Sequence, residues 1–254
     1  MMKLSKVSSV KYRIKNRIYI IQKRLCLEYR MRRRYIKLEG IKIRVGQHMS
    51  PSIKTAIYNG CYEQIELKLI KCHVSPSDTL MEIGAGIGLV SSYCARIIGS
   101  EKVYAYEANP ELERHIHDTY KLNSVSPTLQ IALVGEQTGE QTFYITKEFW
   151  SSSIIQPTAK ETAIAIKIPV KSFNQEVRRL NPTFLIIDIE GGEYELLKYA
   201  DFYNVQKIVI ELHNIMLGHE KSEFVKSKLA EAGFQIIEEF SNSGDEVLFV
   251  QKYC

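Results

Sequence analysis

The sequence predicts an α/β fold with a doubly wound, mostly parallel sheet. From residue 78 onwards, short apolar stretches alternate with amphipathic helical stretches, which is the order that builds a parallel sheet covered by helices. Residues 184–190 are almost all apolar, so we expect a central strand that is buried on both faces. The final stretches 234–240 and 246–253 are separated only by a tight turn, which predicts an antiparallel last strand.

The remaining elements follow from apolar periodicity and from the positions of glycine and proline. Residues 35–45 alternate around Gly40 and predict a short hairpin, and Ser50 with Pro51 predicts the start of a helix. We expect further strands at 79–84, 102–107, 128–133, 141–146, 163–170 and 207–212. We expect helices at about 62–72, 87–98, 109–123 and 220–232, and one after the central strand that ends near Ala200.

The chain has 254 residues, which suits one large α/β domain with a short extension. Its net charge of +5 is unevenly spread. Residues 1–38 hold 13 Lys and Arg against one acid, whereas the remaining residues hold 21 Lys and Arg against 28 Asp and Glu. The sequence therefore predicts a basic helical arm at 1–38, strands and a helix that cover a cofactor site at 39–76, and the α/β domain at 77–254.

The basic arm has the pattern of an amphipathic helix, because its apolar residues recur at spacings of three and four. They are Val10, Ile14, Ile18, Ile21 and Leu25. The favoured interpretation is that this apolar stripe packs on the protein's own body while the charges face solvent. An anionic membrane surface is the first alternative and nucleic acid the second, because cationic arms bind both.

Cysteine content and hydropathy indicate a cytoplasmic protein. The five cysteines are odd in number and form no CxxC pair, so we expect reduced thiols rather than disulfides or a zinc site. No apolar run approaches the roughly 18 residues of a membrane span, and the N-terminus does not resemble a secretion signal. If the arm binds lipid, the protein would lie at the inner face of the membrane.

A glycine-rich turn, with Gly84, Gly86 and Gly88, follows a predicted strand. Glycines at a strand-to-helix junction let the backbone turn sharply and let a ligand approach the main chain. The amides at the start of the next helix favour a carboxylate or a phosphate. Glu107 ends the following strand, where an acid binds the ribose hydroxyls of a nucleoside, and adenine would then lie near residues 131–133.

Two classes of nucleoside cofactor share this arrangement. A dinucleotide fingerprint requires glycine where Leu89 stands, whereas this sequence has GxGxG preceded by an acid. That acid, Glu82, is placed to reach the amino group of a methionine moiety. The turn therefore favours S-adenosylmethionine over NAD, and a glycine turn without a ligand is the third interpretation.

Acidic residues and one histidine follow the two central strands. Asp188 and Glu190 share one side of the first strand, Glu193 begins the next helix, and Glu211 and His213 end the second strand. Because the carboxyl ends of parallel strands meet at one edge, we expect the five groups to converge beside the glycine turn. His213 or Asp188 would remove a proton from an acceptor hydroxyl.

Two other roles remain open for these acids. Asp188, Glu190 and Glu211 offer oxygen ligands for a divalent cation that would polarise an acceptor hydroxyl, although the sequence does not require a cation. Glu193 has a simple structural alternative, because an acid in the first turn of a helix stabilises the helix N-terminus.

Several segments between about residues 50 and 250 resemble the FkbM-type methyltransferases, and they occur in a consistent order. They are GCYEQIELKLI, LMEIGAGIGLVSSYCARIIG, VYAYEANPEL, ALVGEQTGEQTFY, LIIDIEGGEYELL and IVIEL. The resemblance implies a Rossmann-like class I methyltransferase fold that binds S-adenosylmethionine and usually methylates oxygen. It also implies that the acceptors are sugars, polysaccharides or natural-product scaffolds.

The glycine turn and the resemblance together assign roles to individual residues. The positions expected to bind the donor are Glu82, Gly84, Ala85, Gly86, Gly88, Glu107, Ala108, Asn109, Ala132 and Leu133, with Tyr62 and Glu63 closing over it. The positions expected at the reaction centre are Asp188, Glu190, Glu193, Glu211 and His213, and a serine loop with Ser152 and Ser153 would face the acceptor. The family more often has Asp in place of Glu82 and Asn in place of Ile87, and both changes are mild for donor binding.

We therefore expect an O-methyltransferase that acts on a sugar hydroxyl of a glycan, glycolipid or natural product. The alternative is a nucleic-acid methyltransferase restricted to ribose or another base position, because the (D/N)PP(Y/F) tetrapeptide that methylates exocyclic base amines is absent. No nucleic-acid partner is expected. An NAD-dependent oxidoreductase is disfavoured by Leu89 and by the antiparallel last strand, and a non-catalytic binding module is disfavoured by the acidic residues.

Overall fold

The computed structural model describes residues 35–46, 49–146, 163–242 and 244–252. The strands are β1 Ile36–Leu38, β2 Ile41–Ile43, β3 Leu80–Ile83, β4 Val103–Glu107, β5 Thr128–Ile131, β6 Leu133–Gly135, β7 Gly139–Thr146, β8 Ala163–Ser172, β9 Phe184–Ile187, β10 Lys207–Leu212, β11 Phe234–Asn242 and β12 Asp245–Lys252. The α-helices are α1 Pro51–Asn59, α2 Gln64–His73, α3 Leu89–Ile98, α4 Glu113–Asn123, α5 Phe173–Leu180, α6 Glu193–Leu197, α7 Asn214–Leu217 and α8 His219–Glu231.

A seven-stranded sheet has the order β11-β12-β10-β9-β3-β4-β5. The five strands from β10 to β5 are parallel. Strand β12 runs antiparallel to both of its neighbours, which confirms the predicted topology. The chain builds outwards from β3 to β5 and then returns to β9, so the strand order reverses between β3 and β9. Ligand sites of doubly wound sheets form at such a reversal, at the carboxyl ends of the strands.

Strand β9 divides the hydrophobic core into two halves. Its four residues are all buried, and their side chains alternate between the faces of the sheet. Phe184 and Ile186 pack into one large apolar cluster, whereas Leu185 and Ile187 pack into the other. Burial on both faces explains why this segment of the sequence is apolar without interruption.

The segment before the central sheet folds as predicted. Strands β1 and β2 pair in an antiparallel hairpin, and Ile41 and Ile43 are completely buried. The hydroxyl oxygen of Ser50 accepts a hydrogen bond from the Ile53 N–H, which caps α1 with Pro51 in its first turn. The hairpin begins at Ile36, within the predicted hairpin stretch 35–45.

The predicted third strand at 128–133 is too long. It ends at Ile131, which pairs with the last residue of β4; the Ala132 N–H still donates to the Glu107 carbonyl oxygen, and the chain then leaves the sheet. Leu133 begins β6, which belongs to a second sheet in the order β6-β8-β7. The predicted strands at 141–146 and 163–170 therefore pair with each other rather than extend the central sheet.

Two helices were missed and one is shorter than expected. Helix α5 buries Phe173, Val177 and Leu180 at spacings of four and three, but it directly continues a strand and has only eight residues. Helix α7 has four residues, and α6 ends at Leu197 rather than near residue 200. The predicted amphipathic helix of the basic arm lies outside the described residues. Within the described part of the chain, no helix has the length and apolarity needed to cross a membrane.

We predict that Gly84→Ala lowers the free energy of unfolding by more than about 2 kcal/mol. Gly84 has a φ of +94°, and an added Cβ would lie 1.7 Å from the Asp188 carbonyl oxygen. Gly139→Ala is the control, because its Cβ would meet no atom within 4 Å. Urea titrations of the three proteins compare the stabilities. An unchanged midpoint for Gly84→Ala would show that β3 and β9 do not approach this closely.

Candidate active site

A cavity of about 430 Å³ lies at the point where the strand order reverses. Its walls include Gly84 and Gly86 after β3, Glu107 at the end of β4, and Asp188 and Glu190 after β9. The volume falls within the range of small-molecule sites. Thus the glycine turn, the acid of the second strand and the acids of the central strand share one cavity, as the sequence predicts.

The glycine turn is held against β4 by two backbone hydrogen bonds. The N–H groups of Gly84 and Ala85 both donate to the Tyr106 carbonyl oxygen, over 2.9 and 3.0 Å. Gly86 has a φ of +53°, and an added Cβ would lie 2.8 Å from the Tyr62 hydroxyl oxygen. A side chain at this position would therefore both strain the backbone and fill the cavity.

The Glu107 carboxylate is fixed at the cavity wall by two backbone amides. It accepts hydrogen bonds from the N–H groups of Gly86 and Asn109, each over 2.8 Å. Burial raises the pKa of Glu107 to about 7, although these amide hydrogen bonds act in the opposite direction. The bonds orient both carboxylate oxygens, and each keeps acceptor capacity for a hydroxyl group.

The opposite part of the cavity is apolar. The predicted residues Ala108, Ala132 and Leu133 line it, and so do Leu112 and Phe143, which sequence reasoning missed. Phe143 is 4% exposed and comes from β7 of the second sheet. Its contribution depends on how the second sheet packs against the first, and local sequence patterns carry no signal for that packing.

The segment before β3 supplies a further wall of the cavity, through Tyr62 and Glu63. Burial raises the pKa of both side chains, and the proximity of other carboxylates adds to the effect. One oxygen of Glu63, Oε2, is buried without a hydrogen-bond partner among the residues that the structure describes. These positions agree with the expectation that the segment covers the cavity.

Four of the predicted donor-binding residues lie outside the cavity wall. Glu82 is 2% exposed and accepts hydrogen bonds from Ser91, and burial raises its pKa to about 8. Ala85 packs into an apolar cluster, and Asn109 uses its side chain to accept from the Glu111 N–H. Gly88 precedes α3 and faces α4. These residues support the turn from behind, and a direct contact between Glu82 and a ligand amino group remains a prediction.

The five predicted reaction-centre residues do converge. His213 Nδ1 lies 2.5 Å from Glu193 Oε1, and Nε2 lies 3.3 Å from Glu190 Oε2 and 3.7 Å from Asp188 Oδ1. Asp188 is also hydrogen-bonded to Glu211. Asp188 and Glu190 line the cavity, whereas His213 and Glu193 are 7% and 0% exposed and lie behind them.

Burial dominates the electrostatics of these groups. It raises the pKa of Glu190 to about 8 and that of Glu211 to about 9, with further increases from neighbouring carboxylates. Burial alone would lower the pKa of His213, but the bond to Glu193 and the nearby acids raise it to about 10. When only these protein groups surround it, His213 is protonated to an imidazolium at neutral pH. The expectation that it acts as the base is therefore not supported in this state.

Glu66 on α2 is an acid that sequence reasoning missed. It is 8% exposed and hydrogen-bonded to Glu211, and burial raises its pKa to about 7. The sequence does indicate that Glu66 faces inwards, because it lies four residues before Ile70 on the buried face of α2. The sequence alone does not show that this face packs on β10.

The ligand atoms that converge belong to Asp188, Glu211 and His213, and all lie within 4.8 Å of one another. This group differs from the predicted cation ligands, since His213 takes the place of Glu190. The His213 Nε2 atom lies between Glu190 and Asp188, at 3.3 and 3.7 Å, while Glu193 holds the other nitrogen. Ser152 and Ser153 lie outside the described residues, so their predicted contact with the acceptor stays a prediction.

Comparisons with known proteins agree with this architecture. The family model of the methyltransferase FkbM domain matches residues 82–236, and no curated protein sequence matches the chain. Similar solved structures include a methyltransferase from Pyrococcus furiosus, with 11% identity, 94% of this chain and 99% of that chain covered, and a TM-score of 0.48.

Two further structures are similar at a comparable level. Ribosomal protein L11 methylase from Lactobacillus delbrueckii subsp. bulgaricus has 13% identity, with 75% of this chain and 78% of that chain covered and a TM-score of 0.46. Aeropyrum pernix fibrillarin, solved with bound S-adenosyl-L-methionine, has 12% identity, 74% of each chain covered and a TM-score of 0.45. These likenesses are distant, and the family model carries the assignment. The chain belongs to the FkbM family of methyltransferases, and it has their Rossmann-like α/β fold.

Proposed function

We propose that the protein transfers the methyl group of S-adenosylmethionine to a hydroxyl group of a sugar-containing acceptor. The observation that carries this proposal is the single cavity that joins the glycine turn and Glu107 to the carboxylates of Asp188 and Glu190. One end of the cavity suits a nucleoside with an amino-acid tail. The other end offers acceptor oxygens for the hydroxyl groups of a second substrate.

The donor end of the cavity fits S-adenosylmethionine by its chemistry. Gly84 and Gly86 line the cavity without a side chain, so the amino-acid end of the donor can approach the backbone there. Glu107 offers both carboxylate oxygens to the two ribose hydroxyls. The apolar wall around Leu133 and Phe143 suits the adenine ring.

Methyl transfer to oxygen requires alignment and the removal of one proton. The C–S bond of the donor breaks with its electron pair going to sulfur, a C–O bond forms, and the hydroxyl proton leaves. We assign the proton to Glu190, whose carboxyl group lines the cavity. Because burial raises the pKa of Glu190 to about 8, the ionised form that accepts the proton increases as the pH rises through that value. His213 Nε2 lies 3.3 Å from Glu190 Oε2, and Glu193 holds the other ring nitrogen, so His213 limits the movement of Glu190.

A nucleic-acid acceptor is disfavoured by the charge of the cavity. Its walls carry Glu63, Glu107, Asp188 and Glu190. Phosphate groups are repelled by those of these acids that are ionised, and among the described wall residues the one cation, Lys198, already pairs with another acid. Neutral sugar hydroxyls donate hydrogen bonds to carboxylates without this cost. The direct assay combines isotope-labelled S-adenosylmethionine with glycosides, lipopolysaccharide and RNA, and labelling of RNA alone would contradict the proposal.

We predict that Glu107→Gln weakens the binding of S-adenosylhomocysteine at least about tenfold, because an amide accepts fewer hydrogen bonds from two ribose hydroxyls. Isothermal titration calorimetry measures the effect. Glu111→Gln is the matched control, since Glu111 is an exposed acid in the same loop. Equal affinities for the two variants would remove Glu107 from the donor site.

We predict that Glu190→Gln lowers kcat for methyl transfer by about 10² or more, because the amide cannot accept the proton. Binding of S-adenosylhomocysteine should change by less than about threefold. Glu195→Gln is the control, since Glu195 also lines the cavity but pairs with Lys198. A Glu190→Gln enzyme with the wild-type kcat would exclude Glu190 as the base.

A further inference from the structure

We propose that Asp188, Glu211 and His213 bind one divalent cation at the inner end of the cavity. Each residue offers one ligand atom, and the three atoms lie within 4.8 Å of one another. Opposite ligands of an octahedral ion are about 4.2 Å apart, so small side-chain rotations bring the three atoms onto one coordination sphere. Asp188 directly follows β9, and His213 directly follows the neighbouring parallel strand β10, which gives the site a rigid base.

The hydrogen bonding of His213 supports its role as a ligand. Its Nδ1 is bound to Glu193 Oε1 over 2.5 Å, which leaves Nε2 facing Glu190 at 3.3 Å and Asp188 at 3.7 Å. Metal-binding histidines characteristically donate their second N–H to a carboxylate, which fixes the ring and its tautomer. In this arrangement Glu193 is a positioning residue, and a cation takes the place that a proton would occupy on Nε2.

An independent observation is the presence of orphaned oxygens on either side of the three ligands. Glu193 is 0% exposed, and its Oε2 has no hydrogen-bond partner within the described ranges. On the cavity side, Glu63 Oε2 is likewise buried and unpartnered in this part of the chain, and it feels the charge of Asp188. Buried carboxylate oxygens without partners are costly, and a nearby divalent charge offsets that cost.

The charge of the surroundings also favours a cation. Glu66 is hydrogen-bonded to Glu211, and Glu190 lies against His213. Together with the other two acids on His213, five carboxyl groups and one imidazole therefore share a largely buried volume. A divalent ion supplies two positive charges at this point and offsets the repulsion between the carboxylates.

The types of ligand atom in the proposed site favour some of the common metals over others. Calcium and magnesium prefer oxygen ligands alone, and structural zinc prefers cysteine and histidine in a closed tetrahedron. Two carboxylates with one imidazole, open towards a cavity, suit an ion that takes mixed oxygen and nitrogen ligands, such as Mn²⁺. If the proposed function is correct, the ion would also bind the oxygen of the acceptor hydroxyl on the side of the cavity where Asp188 lies. It would thereby favour the ionised form of that hydroxyl.

The test uses the full chain and Mn²⁺ alone. Electron paramagnetic resonance measures free Mn²⁺ by its six-line spectrum, and we expect the wild-type protein to remove one equivalent. Spin-echo modulation of the bound ion should show coupling to one imidazole nitrogen. Glu211→Gln and Asp188→Asn should each weaken binding more than about tenfold. Two variants are used so that a folding defect in one of them leaves the other decisive.

The matched control is Glu238→Gln. Glu238 Oε1 lies 2.7 Å from His73 Nε2, so it forms a second acid–histidine pair away from the cavity, and its variant should bind Mn²⁺ like the wild type. Wild-type protein that leaves millimolar Mn²⁺ free would overturn the proposal. So would tight binding that neither Glu211→Gln nor Asp188→Asn weakens, or bound Mn²⁺ without a nitrogen coupling.

The outcome for the cation is separable from the outcome for the methyl donor. Glu107→Gln should bind Mn²⁺ normally, because Glu107 is not one of the three ligands. Glu211→Gln should still bind S-adenosylhomocysteine, because Glu211 is not part of the cavity wall. Wild-type protein that binds S-adenosylhomocysteine but not Mn²⁺ would refute the cation site alone, and wild-type protein that binds Mn²⁺ but not the nucleoside would refute the donor site alone.

Discussion

The close contact between Gly84 and the backbone of Asp188 is the constraint on which the site depends. The Asp188 N–H donates to the Ile83 carbonyl oxygen over 3.0 Å, and the Asp188 carbonyl oxygen occupies the place of a Cβ on Gly84. Only a glycine allows this approach. As a result the glycine turn after β3 and the acids after β9 lie side by side, and in the proposed function the methyl donor and the acceptor would meet in one cavity.

The second determinant is the concentration of negative charge behind that contact. Burial raises the pKa of Glu66, Glu190 and Glu211 because their charged forms are poorly solvated. Their repulsion is tolerated if positive charge enters the site. The sulfonium and ammonium groups of the donor provide it at one end of the cavity. The proposed cation provides it at the inner end, so electrostatic complementarity links the two proposals.

The sequence predicted the features that depend on local pattern. The glycine turn, Glu107 and the acids on two strand ends are read directly from strand periodicity and spacing, and the structure brings them together. Features that depend on packing between distant segments were not predictable in this way. Phe143 reaches the cavity through the second sheet, and Glu66 reaches Glu211 through the docking of α2. The same limit explains why Glu82, correctly placed beside the turn, faces Ser91 instead of the cavity.

A crystal structure of the protein with S-adenosylhomocysteine tests the central claim most directly. We expect the homocysteine end against the backbone at Gly84 and Gly86, the ribose hydroxyls on the Glu107 carboxylate, and the sulfur directed towards Asp188 and Glu190. Binding of the nucleoside at another surface, or a cavity at Gly84 filled by packed side chains, would contradict the proposed arrangement.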